Sequence, residues 1–168
     1  MSGIIEAIFT SAERHGAIVA CEAVQLKSGR GIVGDRFFGS SRTQPGRNLT
    51  LIEAEAIAAA GTELGIVIAP QAPRRNLVTR GLRLNALVGK TFRVGNILCR
   101  GVELCDPCIV LGRHLANERH SAATIIAAFE RRGGLRATVL GDGILRCGDT
   151  VTRDTPTAGL QTGAPAPG

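Results

Sequence analysis

Residues 87–105 read LVGKTFRVGNILCRGVELC; apolar side chains alternate with polar or small ones, and Gly89, Gly95 and Gly101 interrupt the run. Period-two alternation broken by glycines describes short strands joined by tight turns, because successive side chains of a strand point to opposite faces. The pattern recurs on both sides. GIIEAIFTS (3–11) and AIVACEAVQL (17–26) precede it as strands bounded by turn residues, and NLVTRG (76–81) leads into it. LRATVLGDGILRCGDTVT (135–152) follows as two short strands around a Gly-Asp-Gly turn, a hairpin signal.

Two segments break the period. In TLIEAEAIAAAGTELG (50–65), Thr50 with Glu53 three residues on forms a capping box before an Ala-rich run, so residues 51–60 are expected as a short helix stopped by Gly61. Ser121 caps a second helix in SAATIIAAFERRGG (121–134), whose basic end suits the negative pole of its dipole and which stops at Gly133. GRGIVGDRFFGSSRTQPGRN (29–48) is a long loop of the kind that carries function. Many short strands and few helices argue for a mostly β fold, a closed or nearly closed barrel, over alternating βα units. Residues 1–153 are read as one domain; 154–168, rich in Pro, Gly, Ala and Thr without periodicity, are read as a disordered tail.

At 168 residues the chain is one domain long and needs no disulfide staples. Its start has no basic region before an apolar run, and no segment has the roughly 18 consecutive apolar residues of a membrane span, so a cytoplasmic protein without membrane contact is expected. There the five cysteines are expected to be reduced. The net charge of +6 rests on arginine, Lys27 and Lys90 being the only lysines. Guanidinium groups suit bidentate binding of oxyanions. Nucleic acid is a poor candidate partner, because the chain has no Trp or Tyr and only five Phe for base stacking.

Three constellations carry candidate chemistry. The first is VELCDPCIV (102–110), with Cys105 and Cys108 around an Asp-Pro turn. A structural zinc site wants a second such pair, whereas Cys99 only precedes this one and Cys21 and Cys147 stand alone; a small buried hydrophobe is the competing role of all three. A thioredoxin-like motif wants a parallel strand and then a helix N-terminus, which the pattern does not supply. A single working thiolate needs cations nearby; arginine supplies them, while Asp106 opposes. The second constellation is PRRNLVTRG (73–81): Arg74 and Arg75 on an extended segment would face opposite sides, and Asn76 adds an amide. In the third, GIVGDRFFG (31–39), Gly34 suggests a backbone position closed to other residues, holding Asp35 and Arg36 at a turn. His15, His114 and His120 share no ligand spacing and are read as surface or structural.

GIVGDRFFG, RNLTLIEAEAI, PRRNLVTRG, LVGKTFRVGN, the Pro-Cys of CDPC and GGLRATVLGDGILRCGDTV, in that order, resemble the MOSC domain, named for the C-terminal region of molybdenum cofactor sulfurase. The resemblance runs from about residue 3 to residue 152. It implies a barrel related to the β-barrel domain of pyruvate kinase, with a few short helices, and points to the small bacterial stand-alone members. By resemblance to the family's reductases, Cys108 is the molybdenum ligand of the pterin cofactor and Cys105 its neighbour. Arg74 and Asn76 match an Arg-x-Asn motif near the cofactor, and Arg47, Asp35 and Arg36 are candidates for a supporting hydrogen-bond shell. Neither the mitochondrial reductase's extra N-terminal barrel domain nor the sulfurase's aminotransferase-like domain is expected in this stretch, and pyridoxal phosphate is therefore not expected.

Three functions follow from one soft thiolate among arginines: a molybdenum-dependent reductase of N-hydroxylated small molecules, a carrier holding a persulfide on Cys108, or a cofactor- or anion-binding module without turnover. With no flavin or iron-sulfur motif visible, the first needs a separate electron-transfer partner. The second needs a sulfur donor.

Overall fold

The computed structural model describes residues 2–39 and 46–154; of the expected tail, 154–168, all but Asp154 lies outside them. Its centre is a closed barrel of seven strands. β1 (Ser2–Thr10), β5 (Leu49–Glu53), β6 (Leu77–Arg80), β7 (Thr91–Val94), β8 (Ile97–Leu104), β9 (Leu135–Val139) and β11 (Thr150–Arg153) hydrogen-bond in the order β1-β6-β5-β9-β8-β7-β11, and β11 returns to β1. Every neighbouring pair is antiparallel except β5 with β6. β2 (Val19–Cys21) extends the wall beside the end of β1. β3 (Ala23–Lys27), β4 (Gly31–Ile32) and β10 (Gly143–Arg146) form a separate three-stranded sheet.

Strand alternation sorts the apolar residues into two cores. Ile5, Ile8, Leu49, Leu51, Leu77, Phe92, Val94, Leu135 and Ala137 fill the barrel. Phe9, Ile52 and Val78 point out of it and meet Ile57, Leu111 and Ile125 from three helices, α1 (Ala54–Leu64), α2 (Ile109–Leu115) and α3 (Ala122–Ala128), and Phe129 just after α3. A 3₁₀ turn, Leu84–Leu87, plugs one end of the barrel with two fully buried leucines.

The elements correct four expectations. Residues 51–53 are strand, and the first helix runs 54–64. Thr50 does not cap it, because its hydroxyl is engaged with Asn76 across the sheet, and Glu53 sits at the cap with no side-chain bond to the helix. The second expected helix is capped by Ser121, which accepts from the Thr124 amide, but it ends at Ala128, so its basic residues lie in the following turn rather than on the helix. The Gly-Asp-Gly segment is no hairpin: β9 already has β5 and β8 on its two edges, so β10 pairs with β3 instead. Asp142 fastens that crossing by accepting from the Ser28 amide at 2.8 Å and from Lys27 Nζ at 2.9 Å. Finally, α2 begins directly after Cys108, where no helix was expected, although β8 before it is antiparallel to both neighbours.

No helix among the described residues is long and apolar enough to cross a membrane.

Candidate functional site

Thr50 and Arg136 are register partners on β5 and β9. Their neighbours Leu49, Leu51, Leu135 and Ala137 fill the barrel, so alternation turns Thr50 and Arg136 outward. Around them the outer wall forms the floor of a cavity of about 700 Å³. Its sides are the β1–β2 loop with Ala12, Arg14 and His15; Arg36 and Phe37 after β4; the turn Ala72–Arg75; and Cys105, Cys108, Val110 and Leu111. Five arginines line it, Arg14, Arg36, Arg74, Arg75 and Arg136, and no carboxylate does among the described residues.

The two cysteines of the C-x-x-C are unlike. Cys105 directly follows β8 and is 2% exposed, with its amide donating to Gly134 O at 2.8 Å. Burial pushes its thiol up, against the pull of Arg75 and Arg136, and Glu103 and Asp106 add to the rise. Cys108 is exposed and stands at the N-cap of α2 in extended conformation. Cys99, inside the barrel, is driven by burial to about 12 and behaves as core. Cys21 and Cys147 do not stand alone: both pack against the barrel core, and the Cys147 thiol donates to the Cys21 carbonyl at 3.5 Å.

The arginine pair departs from the extended geometry expected of it. Arg74 has φ 57°, in the left-handed region, so the chain turns there and both guanidinium groups reach the same cavity. Arg74 Nη2 donates to the carbonyls of Arg14 and Gly16, each at 3.2 Å. Arg75 Nε donates to Gly133 O at 2.8 Å and its Nη1 to Pro73 O at 3.2 Å. Burial lowers Arg36 from its ordinary value; Asp35 opposes this, and Arg74 and Arg75 reinforce it. These cations lie close enough to repel one another, a cost that an anion between them would relieve.

Asn76 and Asp35 meet beneath the cavity rather than on its wall. Asn76, 4% exposed, accepts through Oδ1 from the Thr50 amide at 3.2 Å and the Thr50 hydroxyl at 2.9 Å, and donates through Nδ2 to Phe9 O and Asp35 Oδ1, both at 3.3 Å. Asp35 also accepts from the Ser11 and Phe37 amides, both at 3.1 Å. The pair thus ties together the starts of the loops carrying Arg14 and Arg36 and the end of the turn carrying Arg74. Gly34 has φ +83° with no atom near a would-be Cβ, so its requirement is conformational rather than spatial. Arg47 lies off the cavity wall and pairs with Glu103 at 3.1 Å, which also holds Arg136 at 3.5 Å.

Asn76→Ala would leave a buried carboxylate, a carbonyl and an amide short of partners, so it should lower unfolding stability by about 3 kcal/mol in urea titration. A loss under about 1 kcal/mol would show that water replaces the amide without cost.

Sequence reasoning missed Arg14, Arg136 and His15 as wall residues. The outward alternation of LRATV marks Arg136; nothing local marks the other two, which the distant Arg74 brings into place.

The sequence pattern describing the MOSC domain matches residues 38–152. No curated protein sequence matches the chain. Among solved structures, the YuaD protein of Bacillus subtilis is similar at 17% identity and TM-score 0.78, over 90% of this chain and 94% of that one. YiiM of Escherichia coli is similar at 18% identity and TM-score 0.64, over 93% and 72% of the two chains. YiiM of Geobacillus stearothermophilus gives 15% and 0.67, over 94% and 77%. These likenesses concern the fold, while the matched pattern spans more than half of the sequence: the chain belongs to the MOSC domain family.

Proposed function

We propose that this protein binds the molybdenum cofactor in the arginine-lined cavity, with Cys108 as metal ligand, and reduces N-hydroxylated small molecules. The observation that carries this reading is the composition of the cavity lining: an exposed thiol, five guanidinium groups and no described carboxylate. A thiolate is a soft ligand suited to such a metal centre, and coordination itself removes the thiol proton. Arg14, Arg36, Arg74 and Arg75 would hold the electron-rich pterin dithiolene and its phosphate. The volume falls within the usual range for a cofactor site, about 300–1,000 Å³. When bound, the cofactor supplies the two-electron chemistry; the chain supplies orientation and charge. Electrons would come from a separate donor protein, and among the described residues no group of three or more metal-ligating side chains offers an internal relay.

The test is to purify the protein, without chelators, from a host that makes the cofactor. About one molybdenum and one pterin per chain, with turnover of a hydroxylaminopurine under a chemical or protein electron donor, is the expected result. Protein free of both, and inactive after reconstitution, would reject it.

The exposure of Cys108 beside buried Cys105 favours a second reading, in which Cys108 accepts sulfur as a persulfide from a donor enzyme. That reading requires a cyanide-labile gain of one sulfur atom on the Cys108 peptide after incubation with a cysteine desulfurase.

A further inference from the structure

Cleaving the N–O bond of an N-hydroxylated compound takes two electrons and two protons and yields the N–H compound and water. The departing hydroxyl is a poor leaving group unless an acid protonates its oxygen as the bond breaks. Few residues on the described wall can supply that proton. Arg14, Arg36, Arg74, Arg75 and Arg136 keep theirs at any physiological pH. Cys108 is committed to the metal in this reading, and burial makes the Cys105 thiol a weaker acid than an ordinary one. There is no carboxylate among the described wall residues. His15 remains, and imidazole is the side chain suited to proton exchange near neutrality.

The backbone that carries this exposed side chain is also held. His15 sits in the β1–β2 loop, and Arg74 Nη2 clasps the carbonyls on either side of it, those of Arg14 and Gly16. The same loop is fastened at its start, where Ser11 donates through its amide to Asp35 and through its hydroxyl to Glu13 O at 2.8 Å. A left-handed conformation at Arg74 accompanies this clasp. Non-glycine residues bear such strain where surrounding structure over-determines them, commonly at functional sites.

We propose that His15 is the acid that donates a proton to the departing hydroxyl oxygen of the substrate; this rests on the reductase function proposed above. The electrons are those of the external donor, the second proton reaches nitrogen from solvent, and His15 is reprotonated from solvent at the cavity mouth. The charged groups around His15 are Glu13 and Arg14 beside it in its own loop, and Arg36, Arg74, Arg75 and Arg136 on the same cavity lining. Arg74 is a positioning residue for it.

The test uses cofactor-loaded wild type and His15→Gln. In the variant kcat should fall about 100-fold, its dependence on pH between roughly 5 and 8 should flatten, and added imidazole should restore part of the rate. Molybdenum and pterin content should equal that of wild type. An unchanged kcat and pH profile overturns the proposal, as does a parallel loss of cofactor, which would make His15 a binding group.

A second measurement does not depend on loading. In cofactor-free protein, ¹⁵N imidazole signals are followed during titration with inorganic phosphate, His15 being assigned by its disappearance in His15→Gln. The His15 signals should shift as phosphate enters the cavity, while those of His114 and His120 stay put. Unmoved His15 signals would place it away from any bound ligand and overturn the proposal. Failure of the cofactor reading is recognised separately, by wild type that never acquires molybdenum.

Discussion

Cys108→Ser should leave the fold intact and strip the protein of molybdenum, with activity on N-hydroxylated purines falling at least about 100-fold. The change exchanges a soft sulfur for a hard hydroxyl of similar shape, so it tests ligand chemistry rather than packing. Cys108 is exposed and belongs to neither apolar core, so the melting temperature should stay near that of wild type. Cys105→Ser is the informative partner. Cys105 is buried, so a hydroxyl there should cost about 1–2 kcal/mol of stability while molybdenum is retained. Elemental analysis of the two variants beside wild type separates the roles. Metal lost with Cys105→Ser and kept with Cys108→Ser would exchange the assignments. Metal kept in both would mean that no cysteine of this motif is the ligand, and would leave Cys108 to sulfur transfer.

That asymmetry between the two cysteines could not be read from VELCDPCIV alone. The barrel itself was legible, because period-two alternation and glycine turns are local signals that tertiary structure here reinforces: Leu49 and Leu51, Phe92 and Val94, and Leu135 and Ala137 all face inward as the alternation requires. The misreadings arose where two local signals competed or where an edge was already taken. Thr50 and Glu53 satisfy a capping box, yet TLIE is buried on both faces and belongs to the sheet; Thr50 bonds to Asn76, 26 residues away. Gly141-Asp142-Gly143 has hairpin chemistry, but β9 had no free edge to offer.

The site was legible to the extent that its residues stand in motifs with unusual local composition. Cys105, Cys108, Arg74 and Arg75 stand in stretches whose composition draws notice, and all four line the cavity. Asn76 and Asp35 also stand in such stretches, but their polar atoms are turned to the framework that carries the loops. His15 carries no sequence signal at all, since its place on the wall depends on a guanidinium about 60 residues distant. A lone histidine in a polar loop reads as surface until the fold shows what clasps it.

Gly133→Ala should lower stability by about 3 kcal/mol and weaken cofactor retention together, whereas Gly141→Ala should change stability by less than about 0.5 kcal/mol. The cause at Gly133 is spatial. Its φ lies outside the left-handed region, so alanine could adopt the backbone conformation. A Cβ there would overlap the Cys105 carbonyl oxygen and lie 3.2 Å from Pro107 N, both parts of rigid main chain. At Gly141 the nearest atom would be Leu98 N at 3.7 Å, an ordinary contact. Relieving the overlap at 133 must move either the turn after α3 or the end of β8. The first breaks the bond from Arg75 Nε to Gly133 O and the second the bond from the Cys105 amide to Gly134 O. Each bond positions a different wall of the cavity, one its arginines and the other its cysteines. Urea unfolding and molybdenum content measured on the same preparations decide the point. A destabilised Gly133→Ala that holds molybdenum as tightly as wild type would show that the two walls adjust independently, and that the short path from Cys105 through Gly133 to Arg75 does not set the geometry of the site.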